Sequence, residues 1–233
     1  MLCLTCRSYY AFIKKSKGKK TYCRKCGTAK KFVPPNYEHY HETRYSYERV
    51  RTVHNDPLLK KICDLLRFQK NDTVLDFGCG AGDYVSQVSL MSKKTKGVDR
   101  DVTTAKKRFP KNSFLTQKAE KLPFPDNSFD KIMAINVIEH VYDFDGLLKE
   151  LKRVLKPQGK LFITTYDTRF ILHFLHNDPT HVIEWTKEEF ETLISKYFTI
   201  EHSFRYGTFF NYFPFNKWIV QFLKPELCIV GRK

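Results

Sequence analysis

A chain of 233 residues has room for one ordinary α/β domain and a small appendage. Lys and Arg number 41 against 25 Asp and Glu, a net charge of +16, and residues 1–36 hold 10 of the basic residues and no acid, so the charge belongs mainly to the amino-terminal segment. That balance permits a nucleic-acid partner without demanding one, while the lack of any apolar run long enough for a membrane-spanning helix, or of an apolar stretch ahead of the first lysines, gives the expectation of a soluble, cytoplasmic protein.

Four of the seven cysteines fall into two CxxC pairs, while Cys63, Cys79 and Cys228 lie singly in apolar surroundings, a pattern that fits reduced thiols better than a disulfide scaffold. Sixteen residues separate the pair Cys3 and Cys6 from the pair Cys23 and Cys26, a spacing within the range of four-cysteine zinc sites. Tetrahedral zinc needs four soft donors converging on one point, and each CxxC turn presents two thiolates. Zn2+ held by Cys3, Cys6, Cys23 and Cys26 is therefore expected in preference to two redox or idle pairs. It makes residues 1–33 a zinc ribbon, with the metal holding together a segment that has little apolar surface to bury. Between the pairs, Tyr9, Tyr10, Phe12 and Tyr22 alternate with lysines. Such interleaving suits base stacking beside phosphates, but the favoured reading is the small core of a ribbon hairpin.

Val33, Pro34, Pro35 and Asn36 read as a stiff linker, and the polar, tyrosine-rich segment that follows, to Val53, as a solvated linker helix. Asp56 followed by Pro57 starts a helix whose Leu58, Leu59, Ile62, Leu65 and Leu66 share one apolar face. Next comes TVLDFGCGAGDY, from Thr73 to Tyr84: a buried strand, three glycines at Gly78, Gly80 and Gly82, then Tyr84, Val85, Val88 and Met91 at helical spacing. Glycine takes positive φ and admits a ligand where a Cβ would collide, and the first N–H groups of the following helix lack internal partners. A second strand ends about 20 residues later in Gly97, Val98 and Asp99, whose carboxylate can accept from both hydroxyls of a ribose. The spacing GxGxG is one residue shorter than the dinucleotide fingerprint.

Phe114–Lys118 is expected as a third strand and Phe129–Val137 as a fourth, apolar enough for a central parallel position. Leu147, Leu148, Leu151, Val154 and Leu155 form a buried helix face that Pro157, Gln158 and Gly159 end, before a fifth strand over Lys160–Thr165. Thr186 and Glu189 make a capping box for a helix that buries Phe190, Leu193, Ile194, Tyr197 and Phe198. Strands over Thr199–Tyr206 and Glu226–Gly231 close the chain. Two aromatic inserts, 166–185 and 207–225, are expected to meet over the carboxyl edge of the sheet and enclose an acceptor pocket. His173, His176, Asp178 and His181 lack regular ligand spacing and read as loop polarity.

Five blocks together resemble a class I S-adenosylmethionine (SAM) dependent methyltransferase of the type 11 kind: VLDFGCGAG at Val74–Gly82, GVD at Gly97–Asp99, AEKLPFPDNSFD at Ala119–Asp130, NVIEHV at Asn136–Val141 and RVLKPQGKLFITT at Arg153–Thr165. The resemblance covers roughly residues 45–233. It implies a Rossmann-like three-layer α/β sandwich on a mostly seven-stranded sheet over residues 57–233. It also implies that residues 34–56 are a linker and cofactor-covering segment, with Arg44 and Tyr45 as contact candidates, and that Asp76, Gly78, Cys79, Gly80, Gly82, Asp99, Ala119, Glu120 and Asn136 line the cofactor. Cys79 is not expected to act as a nucleophile, since the chemistry requires no thiolate. Lys118 stands where the family usually has an acid against adenine, which moves that contact to Glu120 or to backbone. Glu139 and His140 are the candidates for taking a proton from the acceptor.

The acceptor implied is a small or lipid-like molecule, because Asn136-Val137-Ile138-Glu139 is not the Asn-Pro-Pro-Tyr type of the adenine methyltransferases and the aromatic inserts suit an apolar substrate. Two other classes stand beside it: a methyltransferase of ribosomal or transfer RNA that binds through the basic residues 1–36, and a SAM-binding interaction module without catalysis.

Overall fold

The computed structural model describes residues 12–14, 20–23 and 29–31 by their backbone, and residues 56–117, 121–167, 181, 183–206 and 226–233 in full. The first three segments are strands β1 (Phe12–Lys14), β2 (Lys20–Cys23) and β3 (Ala29–Lys31), which form an antiparallel sheet in sequence order. β2 ends at Cys23. The other expected zinc ligands, Cys3, Cys6 and Cys26, and the linker residues Arg44 and Tyr45 lie outside the described residues.

Helix α1 (Pro57–Leu66) starts where the Asp–Pro pair predicts: Asp56 Oδ1 accepts from the Leu58 N–H at 2.8 Å and Pro57 occupies the first turn, where a missing N–H costs nothing. It ends at Arg67, whose φ of 51° turns the chain away. The large sheet is built from β4 (Thr73–Phe77), β5 (Lys94–Asp99), β6 (Ser113–Thr116), β7 (Phe129–Ile135), β8 (Leu155–Tyr166), β9 (Thr199–Tyr206) and β10 (Glu226–Arg232). Its order is β6-β5-β4-β7-β8-β10-β9, parallel from β6 to β8, with β10 antiparallel to both β8 and β9. The chain therefore moves outward from β4 in one direction and, after β6, returns to continue through β7 in the other. The carboxyl ends of β4 and β7 flank the switch point where open α/β sheets hold ligands.

Alternate residues of the central strands feed two apolar layers. Val74, Met133, Phe162 and Val230 pack with Leu58, Leu59, Ile62 and Leu66 of α1 and Val88 of α2 (Asp83–Met91). Leu75, Ile132, Leu161, Ile163 and Ile229 pack on the other side with α4 (Phe144–Val154) and α5 (Lys187–Ser195). The short helix α3 (Thr103–Arg108) adds Ala105 to a third cluster with Cys79 and Val85. The result is the expected three-layer sandwich. Among the described residues no helix is long and apolar enough to cross a membrane.

Three boundaries differ from the sequence reading. Leu155, expected on a helix, begins β8, because Phe129 pairs with Leu155 while Lys131 pairs with Lys160, and the intervening residues of β8 are taken up by an irregularity in which Gln158 has φ 64°. β7 stops at Ile135, since Asn136 turns to φ 52°. β6 stops at Thr116, before Lys118.

The block LPFPDNSFD has a structural partner in Arg153 of α4. Its guanidinium donates to the carbonyls of Phe124 (2.9 Å) and Leu122 (3.1 Å), to Asp126 (2.7 Å) and to Glu150, while Glu150 also accepts the Leu122 N–H at 2.6 Å. Arg153→Ala should lower stability by about 1–3 kcal/mol in urea unfolding, with Arg153→Lys recovering little of it, because a lysine cannot reproduce the planar fork. An unchanged midpoint would show that the loop holds without it.

Of the insert 166–185 the two ends are described, and they join the core. Trp185 is wholly buried, edge-on to Phe144 and tilted against Phe190, and bridges to Asp167 across the backbone. Asp167 in turn accepts from Arg205 Nε at 2.6 Å. These residues extend the core beside α4 and α5. Residues 168–180 and 182, and the whole insert 207–225, lie outside the described residues.

Candidate functional site

The loop between β4 and α2 is held by backbone hydrogen bonds from Gly78 and Cys79 to the Val98 carbonyl, at 2.7 and 3.1 Å, and from Gly82 to Cys79 at 2.9 Å. Its three glycines all have positive φ. A Cβ on Gly78 would lie 2.1 Å from Val137 Cγ2, and one on Gly82 would lie 2.7 Å from the Phe114 ring. The absent side chains thus admit neighbouring strands of the protein itself, besides freeing the face turned to a ligand. Asp83 and Arg108 brace the outside of the loop as a bidentate pair, and Arg108 also donates to the Ala81 carbonyl at 3.1 Å.

Asp99, expected at the end of the second strand, closes β5 and accepts the Gly80 N–H on Oδ2 at 2.8 Å. One carboxylate thereby ties the glycine loop to the neighbouring strand. Asp76 is 2% exposed, and its buried Oδ2 has no hydrogen-bond partner. Burial first, then the charge of Asp99, push its carboxyl up to about 8 from 3.8. A carboxyl whose folded value is raised contributes stability that is present in full below about pH 4 and is lost as pH rises through about 8. The melting temperature of the ligand-free protein should therefore fall, relative to Asp76→Asn, as pH goes from 5 to 8.5. Parallel melting curves for the two proteins would refute the burial account.

Cys79 points away from the loop's open side: its thiol packs with Val85, Val102 and Ala105, and burial raises its pKa far out of the reactive range. A thiol so buried and protonated has no reactive thiolate to offer. Tyr84 joins α2 to the start of α1 through Asp56, at 3.1 Å.

Asn136 leaves β7 in the left-handed region that asparagine tolerates better than most residues. Its N–H donates to Thr164 Oγ1 at 3.0 Å, Thr164 donates back to its Oδ1 at 2.9 Å, and its amide donates to Glu226 Oε1 at 3.3 Å. The side chain and the N–H are thus engaged by β8 and β10, and the next residue, Val137, covers Gly78 of the β4 loop. Ala119 and Glu120, the expected adenine contacts, lie outside the described residues.

Glu139 and His140 sit on a 3-10 turn over Ile138–His140. Glu139 is fully buried; its Oε2 accepts from Thr165 Oγ1 at 3.1 Å, its Oε1 has no hydrogen-bond partner, and burial raises its carboxyl to about 8 from 4.5. His140 is half-buried, with its ring 4.9 Å from that of His181. His181, which its spacing reads as loop polarity, stands beside this turn. The Ile183 N–H reaches the Glu139 carbonyl at 3.3 Å, and this tether brings the end of the insert to the turn. Nothing in the spacing of His173, His176, Asp178 and His181 distinguishes the last of them.

Residues 75–163 match a family described as methyltransferase domain. Over 123 residues the chain is 32% identical to the sterol 24-C-methyltransferase of Pneumocystis carinii, covering 48% of this chain and 32% of that protein. It is 31% identical over 119 residues to the demethylmenaquinone methyltransferase of Tropheryma whipplei, covering 48% and 50%. A chain of the complex between the Haloferax volcanii Trm112 methyltransferase activator and a methyltransferase aligns with TM-score 0.68 and 19% identity over 86% of this chain and 96% of its own, which shows the fold. The chain spans about a third to a half of the length of these two curated relatives. The segment matched by the family, residues 75–163, runs from β4 into β8.

Proposed function

We propose that the protein binds SAM at the β4–α2 loop and methylates a small-molecule or lipid-like acceptor at the carboxyl ends of β4 and β7. The observation that carries this is the link from Asp99 to Gly80: a glycine turn at the switch point, tied to the carboxylate that ends the neighbouring strand. The unpartnered, buried Asp76 oxygen beneath the loop fits a cationic ligand group, such as the amine of the methionine moiety. Asp76, Gly78, Cys79, Gly80, Gly82, Asp99 and Asn136 would hold the cofactor, most of them through backbone, together with Ala119 and Glu120.

SAM supplies a methyl group already made electrophilic by its sulfonium. The chain's own task is to fix donor and acceptor in line and to keep water out, and orientation of this kind contributes on the order of 7–11 kcal/mol in favourable cases. The glycine loop and Asp99 fix one partner. The walls of the other include Val137 and the turn that carries Glu139 and His140. The named relatives act on a sterol and on demethylmenaquinone, which supports an apolar acceptor for this chain.

Radiolabelled SAM assayed with sterol, quinone and RNA panels should label an apolar acceptor. Label in RNA, lost with residues 1–36 and weakened by salt, would overturn the choice of acceptor. Calorimetry showing no heat with SAM or S-adenosylhomocysteine would overturn the whole reading and leave only the fold.

For residues 1–33 we propose a structural zinc ribbon, supported by the spacing of Cys3, Cys6, Cys23 and Cys26 and by an antiparallel sheet whose β2 runs directly into the second CxxC turn. Metal analysis of the full chain should find zinc, with about one equivalent per molecule lost in Cys23→Ser. Equal zinc in both proteins would remove the assignment.

A further inference from the structure

We propose that Glu139, His140 and His181 form a binding site for a divalent transition-metal cation at the carboxyl edge of the sheet. One ligand atom from each of the three lies within 4.8 Å of the others, although the residues come from a 3-10 turn and from the end of an insert some 40 positions later. Two imidazoles and one carboxylate are a donor set that suits manganese, iron, cobalt or zinc, and donors opposite one another on such an ion stand ~4 Å apart, so a small side-chain rotation closes the site.

Three independent features point to a cation there. Glu139 is fully buried, and its Oε1 meets no donor from the protein, which is a costly state for a carboxylate unless something positive completes it. The other carboxylate oxygen is fixed by Thr165, so the group has a set orientation. His181, itself 3% exposed, has Nδ1 2.7 Å from Glu184 Oε1, the carboxylate–imidazole arrangement that fixes a ligand's tautomer and assigns Nε2 to the metal. The Tyr166 ring lies 4.9 Å from the His181 ring and backs it on the far side. The Ile183–Glu139 backbone bond then locks the two contributing segments together, so the cluster is built into the fold.

The position has a consequence for substrate class that rests on the methyltransferase reading above. Val137, two residues before Glu139, covers Gly78 of the cofactor loop. A three-ligand ion beside that loop keeps open coordination positions, which suit an acceptor bearing oxygen, whose hydroxyl the ion would make more acidic. Glu139 and His140 then serve as ligands in place of the proton-accepting role expected from sequence.

The test uses the full chain, stripped of adventitious metal and titrated with Mn2+, with the free ion followed by electron paramagnetic resonance. Thiolates favour softer ions, so the amino-terminal cysteines compete weakly for this probe. One Mn2+ per chain is expected, with affinity weakened at least about tenfold in Glu139→Gln and in His181→Gln. No uptake, or uptake unchanged in both variants, would overturn the site. Circular dichroism checks that each variant is folded; if neither is, His140→Gln at the half-buried position decides by the same criterion. SAM calorimetry on the same samples separates the two ideas: Mn2+ uptake without SAM heat supports the site and overturns the acceptor class, while SAM heat without Mn2+ uptake does the reverse.

Discussion

Asp99→Ala should weaken SAM binding by about 100-fold or more while the protein stays folded. The carboxylate closes β5 and spends part of Oδ2 on the Gly80 N–H, at 2.8 Å. Its Oδ1 accepts the Asp101 N–H at 3.3 Å, and the ribose hydroxyls would donate to the same carboxylate. A hydrogen bond to a charged group contributes ~1.5–3 kcal/mol, so losing two such bonds, together with the anchor on Gly80, exceeds the ~2.8 kcal/mol that corresponds to a hundredfold change. Asp99→Asn keeps the shape and one acceptor oxygen, and should fall between wild type and alanine. Titration calorimetry reads all three. An alanine variant that is folded and binds SAM as tightly as the wild type would show that the ribose is held elsewhere, and the assignment of this strand end would go with it.

The site's first half was legible because local and long-range demands agree there. From Thr73 to Met91 the apolar period changes from a continuous run to helical spacing around three glycines, and the structure has β4, the loop and α2 at those places. Where a pattern serves two structures equally, the sequence reading went astray. Leu155 continues the helical spacing of Leu147, Leu148, Leu151 and Val154, but pairing with Phe129 turns it into the first residue of β8. Asn136 ends an apolar run that reads as strand, yet Thr164 and Glu226, on strands far away in sequence, bind it in the left-handed region. Composition also does not single out Trp185 within the aromatic insert; it joins the core because Phe144 and Phe190 meet it on α4 and α5. Spacing alone reads His181 as loop polarity; what sets it apart from His173, His176 and Asp178 is that the fold brings it to Glu139 and His140, some 40 residues earlier.

The glycine loop itself offers the largest single loss of stability. Gly78 has φ 76°, and a Cβ there would stand 2.1 Å from Val137 Cγ2, 3.0 Å from Cγ1 and 3.1 Å from Cβ. Gly78→Ala therefore meets two penalties: the left-handed backbone costs a residue with a Cβ ~1–2 kcal/mol, and forcing the methyl against the end of β7 costs ~1–3 kcal/mol more. These add to ~2–5 kcal/mol, a large part of the stability of a domain this size. The two penalties can be told apart. Val137→Ala removes both γ-carbons and should restore most of the packing share in the double variant, while the backbone share persists, leaving a coupling of ~1–3 kcal/mol between the sites. If the double variant unfolds in urea at the simple sum of the two single changes, the contact between the cofactor loop and Val137 does not govern this position. If the coupling appears, SAM affinity in the double variant should recover alongside stability, because the same contact sets where the loop's N–H groups stand.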